Sequence, residues 1–164
     1  MSIEASIVPA GVPDAGEILT VQRAAYLTEA QHYRDPFLPP LTETLDEVVA
    51  ALSGPTIVLA ARLGHRLVGS VRARLDGDTA HVGRLSVAPD QQGRGVGARL
   101  LTAIEAACAG RVARFTLFTG ADSATNLRLY ERHGYLITAH RPDPNGVPLV
   151  VLEKSAVSPV RTDA

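Results

Sequence analysis

Three glycines spaced two residues apart, Gly93, Gly95 and Gly97, follow an apolar run that ends at Pro89. An apolar-periodic segment begins at Ala98, so the glycines lie between a predicted strand and a predicted helix. The first turn of a helix has unpaired N–H groups and the positive end of the helix dipole, which attract phosphate. Glycine also lacks the Cβ that would keep a diphosphate away from those N–H groups. The segment therefore predicts a phosphate-binding loop.

Two arginines, Arg94 and Arg99, are placed to add charge-assisted contacts to such a phosphate. The loop lacks the lysine of nucleotide-hydrolase P-loops and the G-x-G-x-x-G spacing of dinucleotide-binding loops. The next predicted strand, Arg114 to Thr119, has no acidic residue for a ribose. A glycine loop that merely turns a strand into a helix remains an alternative at this point.

A second informative segment runs from Asn126 to Tyr135. Leu127 and Tyr130 lie at helical spacing, and Gly134 fits a left-handed C-cap before a new strand. On its own, Tyr130 could be a core aromatic whose hydroxyl is hydrogen-bonded.

Together the two segments resemble the signatures of one family. Gln92-x-x-Gly95-x-Gly97 matches the Q/R-x-x-G-x-G/A signature of the GNAT superfamily of acyl-CoA N-acetyltransferases, and the run from Leu129 to Tyr135 resembles its second signature, L-Y-x-x-x-G-[FY]. The resemblance implies acetyl-CoA (coenzyme A) as cosubstrate, no metal, and direct transfer of an acetyl group to a primary amine of a small molecule or protein. A non-catalytic acyl-CoA-binding sensor or scaffold of the same fold is the alternative. The presence of Tyr130 favours the enzyme.

The resemblance also implies roles for individual residues. The Tyr130 hydroxyl would protonate the departing thiolate, which suits a phenol because its proton is retained at neutral pH. Many relatives carry an asparagine where this chain has Ser123, and Asn126, one helical turn closer to Tyr130, is expected to contact the pantetheine instead. The predicted coenzyme-binding residues are Leu85 and Val87 through their backbone, then Gln92, Gly93, Arg94, Gly95, Gly97, Ala98, Ser123, Asn126 and Tyr130.

Substrates of the family usually lie beneath the first two helices and their loop, here the segment from Tyr26 to Glu43. Glu29, Tyr33 and Arg84 are the predicted acceptor-binding residues. Glu29 is also the predicted base that takes the amine proton. Arg84 is better suited to bind an acidic group or a neighbouring carboxylate than to accept a proton. The alternative for Glu29 and Glu43 is that both are solvated helix-end residues.

The elements that would position these residues alternate along the chain. Three prolines within residues 32–41 predict a loop without regular helix, and Asp14 with Glu17 resembles a capping pattern. Predicted strands are Ala5–Pro9, Thr56–Arg62, Arg66–Leu75, Thr79–Ala88, Arg114–Thr119, Tyr135–Arg141 and Leu149–Lys154. Four helices are predicted. The first runs from Pro13 to Ala30, the second is capped by Thr44 and Glu47 and runs through Leu52, the third runs from Ala98 to Cys108, and the fourth contains Tyr130. This order predicts a mixed α/β (α+β) fold, GNAT-like, with a mostly antiparallel sheet of about seven strands flanked by helices on both faces. The strands at Thr79 and Arg114 are expected to part at one end and admit the pantetheine arm.

The 164 residues suit one domain, expected to span residues 1–154 with a flexible tail at 155–164. A formal net charge of −1 argues against nucleic-acid binding and against a basic membrane-binding surface. The single cysteine, Cys108, has no partner for a disulfide or a cysteine metal site. Without a signal-peptide pattern or a membrane-length apolar run, we expect a cytoplasmic protein. A homodimer is a further hypothesis.

Overall fold

A computed structural model describes residues 4–156 of the chain. A seven-stranded sheet has the order β1-β2-β3-β4-β5-β7-β6, and every neighbouring pair is antiparallel except the parallel pair β4–β5. Its strands are β1 Ser6–Pro9, β2 Ile57–Leu63, β3 Arg66–Asp76, β4 Thr79–Val87, β5 Arg114–Gly120, β6 Leu136–Pro142 and β7 Pro148–Ser155. The helices are α1 Ala15–Tyr33, α2 Pro39–Thr42, α3 Leu45–Ser53, α4 Val96–Cys108 and α5 Ala124–Arg132. The predicted mixed, mostly antiparallel seven-stranded architecture is confirmed.

Helices cover both faces of the sheet because successive strand residues point to opposite sides. In β2, Val58 and Ala60 pack against α1 and α3, in a cluster that includes Ile18 and Val48. Ala61 of the same strand belongs to the larger cluster that α4 completes with buried residues, among them Leu100, Leu101 and Ile104. The sheet is thus a middle layer, and the site lies at its central pair of strands.

Helix α1 differs from the sequence expectation at both ends. The Asp14–Glu17 capping prediction is wrong: the Asp14 carboxylate accepts the Gly11 N–H (2.8 Å) and pairs with Arg62. These two contacts lower the pKa of Asp14, and no side-chain bond caps α1. The helix continues past Ala30 to Tyr33, where Arg34 ends it in the left-handed region with φ of +52°.

The strand ends lie within one residue of their predicted positions, and two further helices differ from the expectation. The proline-rich loop contains the one-turn helix α2, which begins at Pro39, where the missing proline N–H would have had no helix partner. Helix α4 begins at Val96 instead of Ala98. Strand β7 runs to Ser155, one residue past the predicted end, while residues 157–164 of the predicted tail lie outside the described residues. The Thr44–Glu47 capping box is present, with Glu47 N–H donating to Thr44 Oγ1 at 3.2 Å.

Candidate active site

The two central strands part as the sequence predicts. The β4–β5 ladder joins Thr79 to Arg114 and ends at the pair His81–Thr116. Both strands continue beyond this pair, β4 for six residues to Val87 and β5 for four to Gly120. Their facing edges are not paired to each other there, so backbone N–H and C=O groups are open to an extended ligand.

The glycine loop meets the start of α4 directly after β4. The first intrahelical bond of α4 runs from Arg99 N–H to Gly95 O at 3.1 Å. The N–H groups of Val96, Gly97 and Ala98 therefore have no helix acceptor and form the electropositive end of a 13-residue helix. Gly95 has a φ of +81°, which glycine adopts without strain, and a Cβ built there meets no atom within 4 Å. The glycine is required by the backbone turn, and the space above it is empty of protein.

Gln92 fixes this loop to the end of β4. Ala88 N–H donates to Val68 O on β3 at 2.8 Å, so the backbone groups of Val87 point to the opposite edge, toward the gap. There the Gln92 amide donates from Nε2 to Val87 O at 3.2 Å. Leu85 lies nearby in a β-bulge, where Arg84 and Leu85 together face Val71 of β3. The predicted backbone ligands thus lie on the gap edge of β4 or at its bulge.

Some charged side chains near the loop form ion pairs and others do not. Arg66 pairs with Asp90 through two bonds of 2.7 and 2.6 Å, at the surface just before the loop. Arg94 in the loop is exposed and Arg99 on α4 is half-buried. Within residues 4–156 neither side chain has a hydrogen-bond or ion-pair partner. Both arginines are therefore available to an anion.

A cleft of about 790 Å³ opens beside the gap. Five of the predicted residues line it: Glu29, Tyr33, Arg84, Asn126 and Tyr130. Ser123 lies behind the lining, and the loop residues 92–98 lie outside it, at the end of β4. The structure thus separates the predicted residues into a loop group and a cleft group, with the parted strands between them.

Tyr130 is only 7% exposed, on the last turns of α5. Its ring packs edge-on against Tyr135, with centroids 6.0 Å apart. Burial raises its pKa well above the ordinary phenol range, and the nearby Tyr26 phenol and Glu29 carboxylate add to the rise. Among the described residues its hydroxyl has no hydrogen-bond partner, unlike that of Tyr135, which donates to Glu105 at 2.9 Å. Tyr130 is therefore a protonated phenol facing a cleft, not a core tyrosine with a bonded hydroxyl.

Glu29 is held in the cleft by α5. Ser123, the residue before α5, donates its hydroxyl to Glu29 Oε2 at 2.6 Å. Ser123 is buried and its side chain caps no helix N–H, so its hydroxyl serves this contact. The Glu29 side chain is half-buried rather than fully solvated. Asn126, one turn further along α5, donates to Thr119 Oγ1 at a long 3.4 Å and keeps its carbonyl free.

Tyr33 contributes to the wall of the cleft. Its hydroxyl accepts the Asp122 N–H at 2.9 Å and lies where a Cβ on Gly120 would come within 2.2 Å. Only glycine at position 120 permits this approach. The hydroxyl joins α1 to the turn after β5 and keeps its own proton to donate, so the acceptor-binding role of Tyr33 stays a prediction.

Glu43 is an ion-pair residue and not a solvated helix-end residue. Arg72 donates to both of its oxygens, at 3.0 and 2.7 Å, and Gln22 donates to Oε1 at 3.0 Å. Its side chain is 11% exposed. Burial alone would raise its pKa, but these hydrogen bonds and the charges of Arg72 and Arg84 outweigh it and lower the pKa. Arg84 Nε lies 3.6 Å from Glu43 Oε1, so Arg84 does stand beside a carboxylate, as the sequence suggests.

Sequence reasoning missed Tyr26, which lies in the cleft wall one helical turn before Glu29. Burial raises its pKa to about 12, with the positive charge of Arg84 acting in the opposite direction. The available signal was the spacing of Tyr26, Glu29 and Tyr33, which places three polar side chains on one face of α1. Arg74, His81 and Arg141 also line the cleft and carry no motif that would reveal them.

The residues present fit coenzyme A. A diphosphate finds free N–H groups at the start of α4, two unpaired arginines and open space over Gly95. An amide-containing arm finds the open edges of β4 and β5. Within residues 4–156 no three His, Cys, Asp or Glu side chains gather to hold a metal ion. Nor is any helix in that range long and apolar enough to cross a membrane.

Comparison with known proteins agrees with this geometry. The model of the acetyltransferase (GNAT) family matches residues 24–135. The crystal structure of the ribosomal-protein-S18-alanine N-acetyltransferase from Escherichia coli is 16% identical with a TM-score of 0.78, covering 98% of this chain and 99% of that one. PaiA N-acetyltransferase from Thermoplasma acidophilum, in complex with coenzyme A, is 17% identical with a TM-score of 0.73 over 94% of this chain and 99% of its own. YncA from Salmonella typhimurium, with its cofactor acetyl-CoA, is 20% identical with a TM-score of 0.73 over 98% of each chain.

No curated protein sequence matches the chain significantly. The fold similarity therefore extends over nearly the whole chain at low sequence identity, and the family match covers the glycine loop, the parted strands and the Tyr130 helix. This chain belongs to the GNAT family of acetyltransferases.

Proposed function

We propose that this protein is an acetyl-CoA-dependent N-acetyltransferase that acts on the primary amine of a small molecule or protein. One observation carries the proposal. Tyr130 is buried in the cleft where β4 and β5 part, yet its hydroxyl has no hydrogen-bond partner among the described residues. The hydroxyl is not itself a buried atom: it is reached from the cleft and is not committed to any described side chain or backbone group. A hydroxyl that is accessible and free in this way fits a proton donor better than a packing residue, whose hydroxyl is normally hydrogen-bonded within the protein.

The proposed coenzyme contacts follow the two groups of residues. The N–H groups of Val96, Gly97 and Ala98, with Arg94 and Arg99, would hold the diphosphate, and Gly93 and Gly95 would shape the loop. The gap edge of β4 at Leu85 and Val87 would hold the pantetheine arm, with Asn126 facing it from α5. Gln92 would act by keeping Val87 and the loop in place. When bound, acetyl-CoA supplies the thioester carbonyl carbon that an amine attacks directly.

The proposed acid–base roles belong to this chain's own side chains. Tyr130 holds its proton at neutral pH because burial raises its pKa, and it would donate that proton to the leaving sulfur. Glu29 would accept the proton of the amine, directly or through one water. Ser123 would act as a positioning residue, because its bond fixes one Glu29 oxygen and leaves the other free.

The test is thiol release from acetyl-CoA by the purified full chain over a panel of amines, beside calorimetric titration with acetyl-CoA. We expect acetyl-CoA to bind with a Kd in the micromolar range and an amine to trigger thiol release. The turnover number should lie in the range typical of enzymes, about 1–10³ s⁻¹. Tight binding without thiol release on any amine would favour the sensor or scaffold alternative. Absence of acetyl-CoA binding would refute both.

The net charge of −1 supports action without nucleic acid or membrane partners, and we propose that the activity is cytoplasmic. Strong, salt-sensitive binding to a random DNA duplex would contradict this part of the proposal. A homodimer remains a hypothesis that sedimentation of the purified chain tests.

A further inference from the structure

We propose that the acceptor carries a carboxylate close to its amine, as an amino acid does, and that the Arg84 guanidinium binds that carboxylate. This substrate class rests on the proposed acetyltransferase function and concerns the same cleft. Arg84 lies in the bulge of β4, between the register pairs Arg72–Gly83 and Ser70–Ser86. Its φ is +52°, a left-handed conformation that costs energy for a residue with a Cβ. Such conformations concentrate at ligand-binding and active sites.

The partners of Arg84 leave its charge incompletely compensated. Glu43 already accepts two hydrogen bonds from Arg72 and one from Gln22. Arg84 Nε is 3.6 Å from Glu43 Oε1, which is too long for a hydrogen bond. That Nε is buried, and within residues 4–156 it has no hydrogen-bond partner. A guanidinium has five N–H donors, and no described side chain or backbone carbonyl accepts from any of those of Arg84.

The charges indicate the class of anion that would complete this site. Within the group formed by Glu43, Arg72 and Arg84, two positive charges meet one negative charge. The lining of the cleft adds two further acidic and two further basic side chains, Glu29, Asp143, Arg74 and Arg141, which balance each other. Arg84 is 26% exposed and lines the cleft, so a ligand can reach it. A partly buried guanidinium is best compensated by an anion in its plane. A carboxylate carries one negative charge, whereas a phosphate monoester carries nearly two at neutral pH, so the balance favours a carboxylate.

The same cleft supplies the complementary charge. Glu29 lines the same cleft and is close to Tyr130. Tyr26 lies near enough to both Glu29 and Arg84 for each charge to act on its phenol. A short molecule with an ammonium group toward Glu29 and a carboxylate toward Arg84 would match both charges. This arrangement presents the amine, and not the carboxylate, to the side of the cleft that holds Tyr130.

The experiment compares matched acceptors on the full chain. Thiol release from acetyl-CoA is measured for amino acids, for the same amino acids as C-terminal amides, and for their aminophosphonate analogues. A charge-assisted hydrogen bond predicts that kcat/KM favours the amino acid over its amide by about 10- to 100-fold. Glycine adopts the local φ without strain, so in Arg84→Gly the ratio of the two kcat/KM values should fall to near one. Arg84→Lys should restore part of the ratio.

Arg74→Gln is the matched control, because Arg74 lines the same cleft and loses the same charge. The ratio should survive in this variant. The proposal would be overturned if the unmodified chain acetylated the amides with the same kcat/KM as the amino acids, or if it preferred the phosphonates. It would also be overturned if Arg74→Gln lowered the ratio as much as Arg84→Gly does. Circular dichroism and acetyl-CoA titration verify that Arg84→Gly is folded. If it is not folded, Arg84→Gln replaces it in the experiment. Thiol release from simple amines without carboxylate preference would refute this proposal alone, whereas no thiol release from any amine would refute the proposed function as well.

Discussion

At the start of α4 the chain presents backbone to its surroundings, whereas the cleft around Tyr130 presents side chains. The loop group consists of glycines, free N–H groups and two unpaired arginines. The cleft group is supported from behind Arg84 by a network in which Gln22, Glu43 and Arg72 are mutually hydrogen-bonded. A backbone site of this kind tolerates few changes of conformation but many changes of side chain. A side-chain network behaves in the opposite way, so substitutions on the two sides should have separable effects on binding and on turnover.

The largest effect is expected from Tyr130→Phe, which tests whether the cleft performs chemistry without contributing to coenzyme binding. Loss of one positioned general acid lowers kcat by about 10²–10⁴-fold, and acetyl-CoA affinity should remain within about twofold because the loop group is untouched. Steady-state kinetics and calorimetry measure the two quantities. Tyr135→Phe is the control, since its hydroxyl bonds Glu105 outside the cleft. Near-normal kcat in Tyr130→Phe, with chemistry rate-limiting, would make Tyr130 a packing residue.

Glu43→Gln tests the rigidity of the side-chain network. Removing one partner of a largely buried ion pair leaves Arg72 without its counter-ion and should lower the free energy of unfolding by about 3 kcal/mol. Urea denaturation measures this change. Glu131→Gln, an exposed glutamate of α5, should change it by less than about 0.5 kcal/mol. Equal stability of the two variants would contradict the importance of the pair.

The same variant has a pH signature. Because the pKa of Glu43 is lowered in the folded protein from its ordinary value of 4.5, the stability that it contributes is present above that value. It is lost as the pH falls below 4.5 and through the folded-state pKa. The unmodified chain should therefore lose stability more steeply than Glu43→Gln as the pH falls below 4.5, as followed by urea midpoints. Parallel curves would show that Glu43 is not held ionised.

Gly95→Ala tests the backbone side. At a φ of +81° a Cβ costs about 1–2 kcal/mol, so the loop should relax and acetyl-CoA affinity should fall about tenfold. Gly64→Ala provides a matched control, because Gly64 has a φ of +62° and the same free space but lies in the β2–β3 turn. Gly64→Ala should lower the free energy of unfolding by a similar amount and leave the affinity for acetyl-CoA unchanged. An unchanged Kd in folded Gly95→Ala would separate this loop from the coenzyme.

The smallest effect is expected from Ser123→Ala, which removes the bond to Glu29 while leaving both groups of the site in place. A net hydrogen-bond contribution of about 0.5–1.5 kcal/mol predicts a two- to tenfold lower kcat with little change in acetyl-CoA affinity. Thr125→Ala, at an exposed position of α5, should leave kcat unchanged. A change in coenzyme affinity instead of kcat would return Ser123 to the coenzyme-binding role that the sequence suggests.

The sequence predicts the loop better than the cleft for a physical reason. Positive φ angles and close approach to a helix N-terminus require glycine at fixed spacing. The roles of Gly93 and Gly95 can therefore be predicted from a short stretch of sequence. The alternation and turn signals of the seven strands are equally local. By contrast, Gln22, Glu43 and Arg72 meet only because α1, the end of α2 and β3 fold together. No periodicity in the sequence predicts a contact between residues so far apart in the chain.

Local rules also failed where a tertiary partner competed for a side chain. Asp14 is well placed to cap α1, but Arg62 of β2 and the Gly11 N–H hold its carboxylate elsewhere. Ser123 stands just before α5, yet its hydroxyl goes to Glu29 and caps nothing. Short polar side chains have several partners within reach, and the choice between them depends on contacts that span dozens of residues.

The short β4–β5 ladder has a mechanical consequence. Three register pairs, from Thr79–Arg114 to His81–Thr116, join the β1–β4 half of the sheet to the β5–β7 half. Past those pairs, the segment after β5 donates two hydrogen bonds to α1 near the cleft, from Asp122 N–H to the Tyr33 hydroxyl and from the Ser123 hydroxyl to Glu29. Apolar packing of Ala30 and Leu38 against Val147 joins the halves there as well. The spacing of the open ends therefore depends on contacts of α1 and the loop after it rather than on a ladder. A shear of one half against the other would strain these two bonds while leaving the ladders inside each half intact.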